Sequence, residues 1–256
     1  MNIERANKVP QVTLAFWIIK IAATTLGETG GDALSMSMNL GYAVATGIFA
    51  VFFIAAVIAQ VSAKGFHPFL YWTVIVATTT VGTTMADFAT RSMGIGYIGG
   101  SLILFALLMF TLALWRYSTG SVSVNAISSP KVETFYWITI LFSNTLGTAL
   151  GDFLADTSGL GYEGGALAFG AALLLIAAAY YFTRLSHTLL FWTAFILTRP
   201  LGATLGDILT KPLDHGGLDL SRFTSSAVIA VFMIICISFT SKRAGSHGAP
   251  YRRNSI

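Results

Sequence analysis

Four hexapeptides decide the fold: Gly27-Glu28-Thr29-Gly30-Gly31-Asp32, Gly82-Thr83-Thr84-Met85-Ala86-Asp87, Gly147-Thr148-Ala149-Leu150-Gly151-Asp152 and Gly202-Ala203-Thr204-Leu205-Gly206-Asp207. They align without gaps, and so do their surroundings. A tryptophan stands ten residues before each opening glycine (Trp17, Trp72, Trp137, Trp192), and a further glycine stands nine residues after each aspartate (Gly41, Gly96, Gly161, Gly216). Three of those later glycines precede tyrosine: Tyr42, Tyr97 and Tyr162. Such a period marks one supersecondary unit repeated along the chain. The opening glycines are separated by 55, 65 and 55 residues (27 to 82 to 147 to 202), so the extra length falls in the stretch Ser118 to Pro130. The chain divides accordingly into a first half, 1–116, a linker, 117–130, a second half, 131–241, and a basic tail, 242–256.

Composition fixes the solvent in which these units fold. Of 256 residues 55% are hydrophobic and 10% charged, against about 25% charged in a soluble domain, and the mean hydropathy is +0.73. A water-soluble surface cannot be built from so few charges. One cysteine, Cys236, excludes a disulfide framework and a cysteine metal cluster. The net charge of +4 does not signal nucleic acid, because the basic residues sit at the ends of apolar runs. Lys8 ahead of an apolar stretch resembles a signal peptide, but the stretch runs into Gly27 to Asp32 without a cleavage-like site and the pattern recurs, so it reads as mature structure.

Each unit holds two apolar runs long enough for the roughly 20 residues that cross a bilayer. The fold class is therefore all-α, a polytopic membrane protein of eight transmembrane helices in four two-helix repeats. The spans are 11–35, 40–62, 67–91, 95–116, 131–155, 159–183, 187–211 and 222–241. An even number of helices per unit makes the repeats parallel. Arg5, Lys8, Lys64, Arg116, Lys131, Arg184, Lys242, Arg243, Arg252 and Arg253 lie on the side of the termini, against Arg91, Lys211 and Arg222 on the other. The positive-inside rule then puts both termini in the cytoplasm.

Asp32, Asp87, Asp152 and Asp207 each lie about twenty residues into an odd-numbered helix, in the outer half of the membrane. An ionisable group at membrane depth costs roughly 2.5–3.5 kcal/mol at the helix centre, so it must face protein or water. Positions three, four, seven and eight before an aspartate share its helical face. They hold Thr29, Glu28, Thr25 and Thr24 in the first unit, and Thr84, Thr83, Thr80 and Thr79 in the second. The third offers Thr148, Thr145 and Asn144 beside Ala149, and the fourth Thr204 and Arg199 beside Ala203 and Pro200. A hydroxyl-rich stripe ending at a carboxylate on each of four helices suits a central polar pathway, with the even helices as its wall. The structural alternative is that the aspartates only accept hydrogen bonds or cap broken helices.

The units also differ. Glu28 occurs only in the first and Arg199 only in the fourth; a buried guanidinium needs an acidic partner, for which Glu28 or an aspartate is the candidate. Asp156 adds a carboxylate one turn beyond Asp152, where units two and four carry Arg91 and Lys211, and salt bridges from those two residues to the aspartates would weaken a metal reading. Pro200 removes a backbone hydrogen bond and is expected to kink the seventh helix. The tryptophans read as interfacial anchors, the Gly-Tyr pairs as turns, and Met36, Met38 and Met93 as gap fillers. His67, His187, His215 and His247 lack ligand spacing.

The four G-x-x-x-x-D units with their downstream Gly-Tyr resemble a bacterial family of multispanning proteins built from a repeat of unknown function and described as uncharacterised membrane-anchored proteins. The resemblance runs from Trp17 to about Ile237. It implies a repeated multi-pass protein of the bacterial inner membrane, and no chemistry. The chemistry comes from the residues. Asp32, Asp87, Asp152, Asp207 and Glu28 are hard oxygen donors without Cys or His, which suits manganese, magnesium or calcium better than zinc or copper. A divalent metal cation, manganese foremost, is expected as transported substrate and not as cofactor, moving outward with protons as a possible coupling ion. Thr25, Thr29, Thr80, Thr84, Asn144, Thr145, Thr148, Asp156, Arg199 and Thr204 would line its path. The competing readings are a proton-coupled carrier of an organic cation or other small solute, with a roomier aromatic-lined cavity, and a nontransporting scaffold. No nucleophile and base pair, phosphate loop or zinc signature supports an enzyme.

Overall fold

A computed structural model describes residues 8–124, 127 and 129–240, the side chain of Asp156 excepted. Among them are eight long helices: α1 (Leu14–Asp32), α2 (Gly41–Ser62), α3 (Pro68–Asp87), α4 (Gly96–Thr119), α5 (Pro130–Asp152), α6 (Gly161–Phe182), α7 (His187–Thr210) and α8 (Arg222–Phe239). Local chemistry sets the starts. Thr13, Ser129, Ser186 and Ser221 accept from the amides of Phe16, Val132, Leu189 and Thr224, satisfying donors that have no partner in the first turn. Pro68 and Pro130 open α3 and α5, where a missing amide hydrogen does no harm.

The first three odd helices end alike. At Asp32, Asp87 and Asp152 the α-helix widens into one π turn, Ala33–Ser37, Phe88–Ser92 and Phe153–Thr157. The chain then reverses through Gly41, Gly96 and Gly161, all left-handed (φ 74°, 73° and 64°), a conformation open to glycine without steric penalty. The fourth unit departs: α7 stays α-helical to Thr210, and a 3₁₀ turn, Leu213–His215, precedes Gly216. Pro200 lies inside that continuous helix.

Helices α1, α3, α5 and α7 form a closed inner ring in which each packs on two neighbours, α7 returning to α1. Each even helix leans on the inner helix of the following unit: α2 on α3, α4 on α5, α6 on α7, α8 on α1. The repeats are thus interlocked and not side by side. Burial follows this order, with 67–72% of the apolar windows of α3, α5 and α7 enclosed against 6–22% for the even helices, whose outer faces are the ones left for lipid. Seven of the eight helices are long and apolar enough to cross a membrane; α1, which carries Lys20, Glu28 and Asp32, is not. Its charges are shielded by the ring and not by composition.

At the end carrying the termini, the segment from Lys8 and the linker close over the ring. Val9, Val124 and Ile127 are buried there, Lys8 N donates to Ile127 O, and Trp192 Nε1 donates to Val122 O. The basic tail 242–256 lies outside the described residues, as does the side chain of Asp156.

Candidate functional site

The repeated glycines set how closely the ring closes. A methyl group added at Gly27 would overlap Thr79, and one at Gly202 would overlap Thr24; at Gly82 it would lie 3.3 Å from Asn144 C and 3.4 Å from Asn144 Cβ, and at Gly147 it would meet the Arg199 stem. Each opening glycine therefore receives the next unit's residue three before that unit's own glycine. A second small residue one turn on repeats the fit: Gly31 against Thr83, Gly151 against Ala203, Gly206 against Glu28, with buried Ala86 in the remaining unit. Small residues four apart are the usual device for close helix approach in membranes.

This packing stacks four levels along the ring axis, three polar and one aromatic. Furthest from the termini lie the four aspartates, at most 3% exposed. They are not equivalent. Arg91 joins Asp87 (3.0 Å) to Asp152 (3.4 Å), and Lys211 joins Asp32 (3.0 Å) to Asp207 (3.2 Å), while Arg222 approaches Asp32 at 3.6 Å. Both bridging cations stand one turn beyond an aspartate and span to the next unit, so the four-fold sequence repeat becomes a two-fold pattern of charge. Their side chains are 34% and 13% exposed, placing them at the mouth.

Glu28 adds a third carboxylate to one of these pairs. One oxygen each from Glu28, Asp32 and Asp207 lie within 4.8 Å of one another, all three side chains buried; among the described residues this is the one place where three metal-ligating groups meet. Asp87 and Asp152 are left to Arg91, so the motif aspartates fall into one three-acid cluster with Glu28 and one clamped pair.

Below the acids, Arg199 crosses from α7 to α1 and α3, where Nη2 donates to Glu28 Oε2 (2.9 Å) and to Thr83. Lower still, Lys20 reaches from α1 to Asn144 Oδ1 on α5 (3.3 Å) and lies 4.1 Å from the Phe195 ring centre. All of these side chains are buried.

The hydroxyl stripe is mostly turned inward on its own helices. Thr25, Thr80 and Thr145 donate to the carbonyls of Ile21, Val76 and Leu141, and Thr84, Thr148 and Thr204 do the same one turn back, to Thr80, Asn144 and Pro200. Thr29 bonds Ser226 of α8 (2.7 Å), and Thr204 lies against Gly165 of α6, so these two stand at contacts with the outer helices. Asn144 sits in the ring, donating to Thr78 at 2.9 Å.

The fourth level is aromatic, and sequence reading gave it the wrong role. Trp72, Trp137 and Trp192 are 2–5% exposed and belong to the core, not to a lipid interface. The missed partners are the residues directly before each tryptophan. Phe16 meets Trp72 (5.4 Å), Tyr71 meets Trp137 (5.6 Å), Tyr136 meets Trp192 (6.2 Å) and Phe191 meets Trp17 (5.8 Å), a girdle that closes the ring at the terminal end. Tyr71 and Tyr136 also share a 2.6 Å hydroxyl hydrogen bond. The available signal was the aromatic-Trp dyad in all four units. Beyond it, Lys8 binds Glu133 (2.9 Å) under the terminal cap.

Neither the curated proteins nor the solved structures contain a match to the chain. The family described as Repeat of Unknown Function (DUF347) matches at residues 15–66, 70–121, 135–186 and 190–245, and each match carries one aromatic-Trp dyad, one motif aspartate and one outer helix. With four copies over most of its length, the chain belongs to that repeat family.

Proposed function

We propose that the protein is a membrane transporter of a hard divalent cation, manganese foremost, which binds at Glu28, Asp32 and Asp207. The observation that carries this reading is the meeting of those three buried carboxylates at a single interface of the ring; the Lys211 ammonium bridging two of them counts against a metal unless it is displaced. All-oxygen donors favour manganese, magnesium or calcium over softer ions. Lys211 acts as a stand-in cation: it neutralises the cluster until a divalent ion displaces it toward the mouth. A carboxylate cluster at membrane depth without any counter-ion would be costly.

In this reading all eight helices span the inner membrane of a bacterium with both termini cytoplasmic, since basic residues crowd the terminal end. The acids then lie near the outer face and the aromatic girdle near the inner one, so the arrangement is an outward-leaning closed state. Opening the girdle admits the ion from the cytoplasm, and displacement by Lys211 releases it outside, which makes efflux the working direction. Protons exchanging on the same carboxylates supply the coupling. Two surface grooves stand apart from this site, the second of them lined in part by Phe52, Phe69 and Trp72. They lie between α1 and α8 and among α1, α2, α3 and α8, and neither is lined by a motif aspartate.

The test is flux in proteoliposomes over Mn, Mg, Ca, Co, Zn and Cd. Transport of a hard ion is expected, falling at least about ten-fold in Glu28→Gln and Asp207→Asn, since removal of one charged ligand costs more than the 1.4 kcal/mol that a factor of ten represents. Asp214→Asn, in the exposed loop after α7, should leave it unchanged. A folded, inserted protein that moves none of these ions, or ligand variants that transport like wild type, would remove the reading.

A further inference from the structure

One level of the inner ring is laced by a hydrogen bond that repeats from unit to unit. The residue three before the opening glycine reaches back to the residue four before the opening glycine of the preceding unit. Thr79 Oγ1 donates to Ala23 O (3.1 Å), Asn144 Nδ2 to Thr78 Oγ1 (2.9 Å), and Thr24 Oγ1 to Thr198 O across the closure of the ring (3.2 Å). The same rule pairs position 199 with position 143. That fourth link is not made, because Arg199 turns away to Glu28 and Thr83.

The break leaves buried polar groups without partners. Ser143 Oγ and both Nε and Nη1 of Arg199 have no hydrogen-bond partner among the described residues, and both residues are fully buried. Next to Ser143 in the chain is Asn144, whose Oδ1 accepts from Lys20, also fully buried. Lys20 makes no ion pair among those given by the described residues, its remaining contact being the face of Phe195, one turn before Arg199. Of these two buried cations only Arg199 is paired with a carboxylate, Glu28, among the described residues. An unpaired buried charge costs several kcal/mol, and each unsatisfied donor adds about 1–3 kcal/mol. Native cores leave few such groups without a partner.

We propose that Lys20, Ser143 and Arg199 form a binding position for one small monoanion of halide or carboxylate size. Its charge matches the buried Lys20 ammonium that has no carboxylate partner among the described residues, and its acceptor-only chemistry suits the Lys20 and Arg199 N–H donors and the Ser143 hydroxyl, which can also donate. The position lies below the acidic cluster on the same axis, so a free inorganic anion and the carboxylate of a zwitterionic solute are two sources of the same chemistry. This site stands independently of the divalent-cation reading.

The experiment uses the full-length protein in detergent with EDTA present, so that no divalent ion takes part. Its thermal midpoint is measured in sodium bromide, sodium formate and glycine against sodium gluconate at equal ionic strength. A saturable rise of about 2–6 °C is expected in bromide and formate, from ligand binding to the folded state alone. The rise should vanish in Lys20→Met and shrink in Ser143→Ala, a variant that deletes one hydroxyl and keeps the fold. A rise in glycine as well assigns the site to an organic carboxylate, whereas bromide and formate alone assign it to inorganic and simple anions. A structure determined in bromide should place the ion between the three side chains. Equal midpoints in all four salts, a rise that persists in both variants, or a water there that bromide does not replace would overturn the proposal.

Discussion

Gly27 and Gly202 lie where an inner helix leaves no room for a methyl group, since Thr79 and Thr24 occupy the space. Alanine at either position should destabilise the protein by about 1–3 kcal/mol through overpacking. Alanine at Gly47 or Gly170, on the outer helices with nothing within 4 Å, should instead be neutral or stabilising by up to about 1 kcal/mol, from helix propensity. Thermal unfolding of the four variants in detergent checks the contrast, and equal effects at inner and outer positions would mean the ring does not pack through its glycines. Two other residues stand out in sequence because each breaks the repeat once: Glu28 and Arg199. The structure brings them together at 2.9 Å. What the spacing of residues could not give is which neighbour each aspartate finds. Asp87 and Asp152 go to Arg91, and Asp32 and Asp207 to Lys211, because a cation one turn beyond an aspartate reaches the adjacent unit as well as its own.

At the scale of the element, helix limits were legible to within a few residues from caps, prolines and the length of apolar runs. The π turn after three of the aspartates was not, since nothing in Ala33–Ser37 or Phe88–Ser92 distinguishes a π turn from another turn of α-helix. The odd and even helices differ in kind. Helix α2 carries no charged residue, whereas α1 carries Lys20, Glu28 and Asp32. Charged residues cost about 2.5–3.5 kcal/mol each near a helix centre on insertion scales. Tested singly in a host protein by glycosylation mapping, α2 should insert almost completely and α1 poorly. Efficient insertion of α1 alone would show that it does not depend on its neighbours for shielding.

At the scale of the whole molecule, the ring closes only when both halves are present. Helices α3 and α5 join the halves on one side and α7 and α1 on the other, while α4 leans on α5 and α8 on α1. A chain cut at the exposed Gly120 should therefore yield halves that are unstable when expressed singly and that copurify when expressed together. Recovery of either half as a folded protein by itself would show two independent bundles. By itself the sequence determined the four-unit repeat, the eight helices with their turns, and the polar inner face that four aspartates demand, because period, hydropathy and capping act over short stretches of chain. Only the tertiary structure decided that tryptophans plug the ring and do not anchor it in lipid. It alone also showed that Glu28 joins Asp32 and Asp207, and that Lys20, Ser143 and Arg199 hold unspent donors. Those facts depend on α7 returning to α1, a contact between residues more than 170 positions apart that no local pattern encodes.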